Sequence, residues 1–249
     1  RGDAARQRLP IVLHDLEAAR LAGSEATSGN IVRVGIMPSA LIGLASGVFA
    51  RLRGQGGGLD VLLFERTVDA AWSDLASGKL DCVISRVDSN VLAMHPKNSF
   101  ELEPLWHDSM KVACRRGHVL AGGAHVAVGD LLGYPWAVLA SDSQIRLAFD
   151  QAFVQQGRMP PIPVGESLSF VSNLHLVRDS DLLTIAPASV VDEFCRLGLV
   201  DQVPVSWPVQ LSPLMFITRA GLAGVPGVDV LRSALRGCCV VNSASATTD

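Results

Sequence analysis

Four hydroxyl side chains stand where a ligand could be held. Ser39, Thr67, Ser143 and Ser169 each fall at the start of a segment patterned as helix, and the first two directly follow strand-patterned runs. In a parallel sheet, a helix that opens after a strand presents free N–H groups and its positive dipole end beyond the strand, a place that favours an anion. The same residue types are good N-caps, so plain capping is the competing reading of all four. Two arginines stand at the same level. Arg86 follows the third strand-patterned run, and Arg146 lies one turn into a helix. Each guanidinium could grip a carboxylate bidentately, or close an ion pair within the protein.

Other chemistries find no footing. No G-x-G-x-x-G or Walker A run follows a strand, and Gly56-Gly57-Gly58 precedes a strand instead of opening a helix. The histidines, His14, His95, His107, His118, His125 and His175, form no HxH, HxxH or HExxH pattern, so no metal is expected. There is no G-x-S-x-G elbow and no carboxylate pair placed by a motif. No catalytic residue and no cofactor are expected; the chain reads as a binder, not an enzyme.

The elements that must position these residues belong to a globular chain. Its 249 residues are 49% hydrophobic and 18% charged, with 21 Lys plus Arg against 24 Asp plus Glu, a formal net charge of −3. Arg outnumbers Lys 18 to 3, but the basic residues are scattered. Tight nucleic-acid binding needs a cationic surplus facing phosphates, so this chain by itself is not expected to hold DNA. Cys82, Cys114, Cys195, Cys238 and Cys239 make an odd count without a CxxC. Cys82 and Cys114 sit in apolar runs and read as small hydrophobes. The adjacent Cys238 and Cys239 have poor geometry for pairing, and the compartment is read as reducing and cytoplasmic. No apolar leader core precedes a cleavage site. The longest uncharged stretch, 17 residues between Arg33 and Arg51, is broken by Pro38, Ser39 and three glycines. It falls short of the ~20 apolar residues of a membrane span.

Periodicity divides the chain. Leu9, Val12, Leu16 and Ala19 form a short heptad stripe over 1–23, a helix too short to stand alone. Residues 24–30 read as a linker. Strands are expected at 31–37, 59–64 and 80–85, with helices at 39–53 and 68–77 between them. That alternation means βαβ units and a parallel sheet. The middle of the chain repeats the logic. Strands are expected at 110–114, 136–139, 182–186 and 200–205, and helices at 128–132, 143–156, 169–177 and 187–198. A strand at 214–218 and a helix at 228–235 are too little for a domain and are expected to return to the first lobe. The lobes are thus 31–107 with 208–237, and 108–207, followed by a disordered tail at 238–249.

Several segments together resemble one family. Gly29-Asn30-Ile31-Val32-Arg33-Val34-Gly35-Ile36-Met37-Pro38 resembles the opening of the effector-binding domain of LysR-type transcriptional regulators. Gly78-Lys79-Leu80-Asp81-Cys82-Val83-Ile84 is similar to that family's GxLDxxI segment. Glu103-Pro104-Leu105-Trp106 followed by Arg116-Gly117-His118-Val119-Leu120-Ala121 is similar to its PL…HPLA stretch, with Val119 where Pro is usual. Asp130-Leu131-Leu132-Gly133-Tyr134-Pro135-Trp136 resembles DLxxxPW. Leu182-Leu183-Thr184-Ile185-Ala186-Pro187 is similar to GIxxLP, with Asp181-Leu182 in place of Gly-Ile. The likeness spans about residues 1–237.

The resemblance implies an α/β fold of two Rossmann-like lobes, like the type 2 periplasmic binding proteins, with a small effector between them. It implies that 1–23 is a linker helix pairing with that of a second copy in a homodimer or homotetramer. DNA contact would belong to a winged helix-turn-helix preceding this chain. Carried over position by position, the ligand-binding residues are Ser39 and Ala40 after the first strand, Thr67 and Val68 after the second, and Arg86 after the third. In the second lobe they are Ser141, Ser143 and Arg146, then Ser169 and Phe170, with Phe170 packing on an apolar or aromatic part of the ligand. Ser143 to Arg146 with Glu166 to Phe170 is similar to members tied to aromatic-acid or sugar catabolism. The expected effector is a small organic molecule, anionic in the favoured case, with an aromatic one among the alternatives left open. A periplasmic-type solute receptor of the same fold is the alternative.

Overall fold

A computed structural model describes residues 30–54, 58–87, 99–141, 143–220 and 226–245. The expected helix at 1–23 and linker at 24–29 lie outside the described residues. The chain divides into two compact units, Arg1–Trp106 with Ser212–Asp249, and His107–Leu211.

The first unit is built on a five-stranded sheet of order β2-β1-β3-β10-β4. Its strands are β1 (Asn30–Ile36), β2 (Leu59–Glu65), β3 (Cys82–Arg86), β4 (Phe100–Trp106) and β10 (Leu214–Arg219). β1 runs parallel to β2 and β3, and β10 runs antiparallel to β3 and β4. The period-2 pattern sorts the side chains onto two faces. Val32, Val34, Ile36, Cys82, Ile84, Leu214 and Phe216 meet α1 (Pro38–Gly54) and the last helix, α6 (Pro226–Ser245), in one core. Val83 and Ile217 face the other way, onto Ala71, Trp72 and Leu75 of α2 (Val68–Ala76). Gly35 lies on this second face. A Cβ there would stand 2.6 Å from Leu80 Cδ1 and 3.2 Å from Val83 Cγ2, so only glycine lets the layer close this tightly.

Two features of this unit depart from the sequence expectation. β4 was not anticipated, because Phe100-Glu101-Leu102-Glu103-Pro104 mixes charges with a proline. At a sheet edge these are assets: Pro104 needs no ladder partner, and the glutamates discourage a foreign strand. Glu103 also accepts a hydrogen bond from Arg236 Nε and lies 3.5 Å from Arg232 Nε on α6. The second departure concerns the tail expected to be disordered at 238–249: α6 runs on through Ser245, and residues 246–249 lie outside the described residues. Val228, Leu231, Ala234, Leu235 and Cys238 continue one buried stripe at i, i+3 and i+4 spacing, so the apolar face does not end at residue 235. Gly237 does not break the helix. Its bare Cα lies under Arg51, whose Nη1 would be 2.8 Å from a Cβ there.

The second unit has different sheet polarity. β5 (Met110–Cys114) runs antiparallel to both β8 (Thr184–Pro187) and β9 (Asp201–Val203). β6 (Ala137–Leu139) pairs in parallel with β7 (Gly165–Ser167), and a single bridge from Trp136 to Leu183 joins the two sets. The parallel logic expected here therefore holds for β6 with β7, where α3 (Gln144–Val154) provides the crossover, and for the Trp136–Leu183 bridge, but not for β5 with β8 and β9. α4 (Phe170–Arg178), α5 (Ala188–Arg196) and a 3-10 turn (Val128–Gly133) complete the unit. Its core holds an aromatic cluster. Trp136 meets Phe149 edge-on at 4.9 Å, and Trp207 stacks on Phe149 at 6.1 Å. Both indole N–H groups donate to carbonyls, of Leu131 and Ala148 respectively.

Burial pushes the Cys114 thiol up to about 12 and raises that of Cys82 further, so both are inert packing groups. Among the described residues no helix is long and apolar enough to cross a membrane.

Candidate functional site

In the first unit, β2, β1 and β3 are mutually parallel, so their C-terminal ends share one edge. Backbone hydrogen bonds tie the three ends together: Met37 N–H donates to the Ile84 carbonyl and Arg66 N–H to the Ile36 carbonyl, each at 3.1 Å. Ser39, Thr67 and Arg86 therefore arise from adjacent strand ends, as their types and spacing suggested.

Their local roles differ from simple capping. α1 starts at Pro38, which places Ser39 inside the first turn and not at the cap. The Met37 carbonyl accepts from the N–H groups of Ala40 and Leu41, at 3.0 and 3.1 Å. Pro38 has no N–H, and the Ala40 N–H is committed, so the backbone of this turn offers an anion little. What it offers is a side chain: Ser39 is 2% exposed, and its Oγ has no hydrogen-bond partner among the described residues. Thr67 does occupy the N-cap of α2, with extended backbone, but its hydroxyl makes no capping bond, and Val68 opens the helix half-buried.

The third strand end holds a residue that sequence reasoning missed. Ser85 is 1% exposed, and its Oγ also lacks a partner among the described residues. The available signal was a hydroxyl inside Cys82-Val83-Ile84-Ser85, a run otherwise apolar and buried throughout. Leaving such a group unpaired costs about 1–3 kcal/mol, so each of these two hydroxyls has capacity that an ordered water or a polar ligand could meet. Arg86 is buried beside it, and its Nη1 donates to the Ser212 carbonyl.

In the second unit the expected residues are largely satisfied from within. Ser143 caps α3, accepting from the Arg146 N–H at 3.0 Å. Arg146 Nε reaches both carboxylate oxygens of Asp150 at 3.1 and 3.2 Å, and Nη1 reaches Glu166 Oε1 at 2.6 Å. Burial alone favours the neutral guanidine, but the hydrogen bonds to Glu166 and Asp150 outweigh it and hold Arg146 above its ordinary pKa. Ser169 caps α4, accepting from Ser172 N–H at 3.4 Å, and Phe170 behind it is buried. Ser141 is exposed in the turn before α3. Two further residues were not foreseen. Asn173 Nδ2 and Thr184 Oγ1 are wholly buried and unpartnered among the described residues, although Asn173 Oδ1 accepts from Ser167 Oγ at 2.8 Å. Among the described residues no three His, Cys, Asp or Glu side chains come together to hold a metal.

Comparisons with known proteins converge. The family profile described as LysR substrate binding domain matches residues 25–239. The HTH-type transcriptional regulator GalR of Pseudomonas putida is 24% identical over 216 residues, 87% of this chain and 53% of GalR. GbpR of Azospirillum brasilense, also an HTH-type transcriptional regulator, is 24% identical over 206 residues, 82% of this chain and 59% of GbpR. The chain thus spans little more than half the length of these relatives. Among solved structures, the BenM effector binding domain with its effector benzoate superposes with a TM-score of 0.67 at 19% identity. That match covers 88% of this chain and 95% of the other.

Proposed function

The chain belongs to the LysR substrate-binding domain family, and from that membership we propose that it senses a small organic effector and passes the signal to a DNA-binding segment outside it. The family is regulatory, its named relatives are transcriptional regulators, and the two-lobe α/β fold is shared with effector-binding domains. The observation that carries the reading is the pair of unpartnered, buried hydroxyls of Ser39 and Ser85 on neighbouring strand ends.

In this proposal Ser39, Thr67 and Val68, with Ser85 and Arg86, engage the effector from the first unit, and Ala40 backs Ser39 by apolar packing with its N–H held by the Met37 carbonyl. Ser141, Ser143, Arg146, Ser169 and Phe170 engage it from the second. The effector is an organic anion with an apolar or aromatic part, since Phe170 offers a ring and Arg146 a guanidinium. Arg146 must then exchange Glu166 for the effector's carboxylate. The protein acts in the cytoplasm as a homodimer or homotetramer, and DNA is contacted by a winged helix-turn-helix that precedes this chain. The effector acts by shifting populations between states that present those DNA-binding heads differently.

A thermal-shift screen of aromatic acids, aliphatic acids and sugar acids, with benzoate among them, tests the reading. A ligand at 100 times its Kd stabilises the fold by about 2.7 kcal/mol. The proposal expects one class to raise the Tm, and Ser39→Ala and Ser85→Ala each to reduce that rise. A rise that survives both substitutions sinks the assigned site.

A further inference from the structure

Arg86 closes β3, a strand with all five residues buried, and is itself only 3% exposed. A buried guanidinium is tolerated only where its donors are used. One donor is spent on the backbone carbonyl of Ser212, 126 residues away. Ser212 is the first residue of the first unit after the chain has traversed the second. It sits in an unpaired stretch, 211–213, ahead of β10, and Pro213 beside it has no N–H to give. The β3–β10 ladder ends with Arg86 opposite Leu214, so the guanidinium extends the attachment two residues past the last backbone pair. Leu214 is also opposite Trp106, the residue at which the chain leaves this unit, and the ladder slips there, between Leu214 and Met215. Departure and return are thus side by side, and Arg86 holds the return.

We propose that Arg86 is the positioning residue of this crossover: its side chain pins the Ser212 backbone to the end of β3, next to the unpartnered Ser85 hydroxyl. Anchoring of the crossover is independent of any ligand. Transmission from an occupant of the Ser39 and Ser85 edge to the crossover rests, in addition, on the functional reading above. Hydrogen–deuterium exchange on the ligand-free protein tests the anchor alone, so its failure is separate from failure of the effector assignment. Arg86→Met keeps bulk and removes every donor. Arg86→Lys restores a charged donor. Ser212→Ala leaves the accepting carbonyl in place. The expected result is exchange at least tenfold faster in peptides covering 104–109 and 210–216 of Arg86→Met, with peptides covering 59–65 and 110–114 unchanged. Arg86→Lys recovers at least part of the protection, and Ser212→Ala matches the parent. Unchanged exchange at the crossover in Arg86→Met overturns the proposal, and so does a rise spread evenly over the first unit, or an Arg86→Lys protein as fast as Arg86→Met. Should Arg86→Met not fold, Arg86→Leu, which also lacks a donor, is measured in its place against the same outcomes.

Discussion

The two units treat the serines at their strand ends and helix starts differently. In the first, Ser39 and Ser85 are buried with their hydroxyls unspent. In the second, Ser143 and Ser169 are spent as caps, and Arg146 is spent on Asp150 and Glu166. The second unit is not without buried, unmet capacity, since Asn173 Nδ2 and Thr184 Oγ1 are unpartnered among the described residues, but none of its expected site residues supplies it. Residues of the same type thus differ in whether their hydrogen bonds are already made within the protein.

The contrast can be attacked first through the cores beneath it. Trp136→Ala deletes the centre of the aromatic cluster and is expected to cost ~3–5 kcal/mol. In urea with exchange readout, the second unit should open early while peptides of β1 and β2 keep their protection. Loss of protection in both units together would show that they do not unfold separately.

Glu166→Gln sharpens the comparison at the site itself. It removes the carboxylate that competes for Arg146 Nη1 and is expected to tighten binding of the best acid from the thermal screen about tenfold, near 1.4 kcal/mol, by calorimetry. An unchanged Kd would mean that Arg146 does not meet the ligand. Serine truncations should then differ in sign. Ser143→Ala loses a working cap and is expected to cost ~1 kcal/mol, whereas Ser39→Ala removes an unpaired buried hydroxyl and should stabilise by up to about 1 kcal/mol. Urea midpoints decide, and equal losses for the two would end the distinction.

The smallest effect is in acid. His118 is buried and close to Arg115, and burial foremost holds its pKa below the ordinary 6.5. The folded form therefore binds its proton less well than the unfolded chain. Its contribution is complete above pH 6.5 and is lost as pH falls through the lowered value. Asp74, hydrogen-bonded to Arg66 in the first unit, is held below 3.8, so its contribution persists down to about pH 4 and is lost only below that. Exchange followed from pH 7 to 3 should show the second unit loosening before the first, and Asn in place of His118 should flatten the earlier phase.

Much of this was legible in the sequence, for identifiable reasons. The β1–α1–β2–α2–β3 run was readable because each element is local, apolar and punctuated by Pro38, Gly54 or Gly78. Ser39 was readable as a strand-to-helix residue, though not as a member of the first turn, since Pro38 and Ser39 can each open a helix. Ser85 was hidden because an unpaired hydroxyl in a strand differs from a paired one only through its neighbours. The partners of Arg86 and Arg146 were hidden for the same reason: Ser212 is 126 residues from the first and Glu166 is 20 from the second. The polarity of β5 was invisible because pairing with β8 and β9 is a property of three distant segments. α6 was underestimated because small and polar residues toward its end look like a tail.

The place of β10 in the first sheet sets an order of assembly during synthesis. It lies between β3 and β4, yet it is translated after the whole of the second unit. A nascent chain emerging from the ribosome can complete His107–Leu211 while the first sheet still has an open slot in its middle, with β4 unattached. The last strand to be made is inserted between its neighbours and not added at an edge, and α6 then covers it. A nascent chain that has emerged through residue 211, with β10 still inside the ribosomal exit tunnel, would display a finished second unit on an unfinished first one, its crossover unpinned.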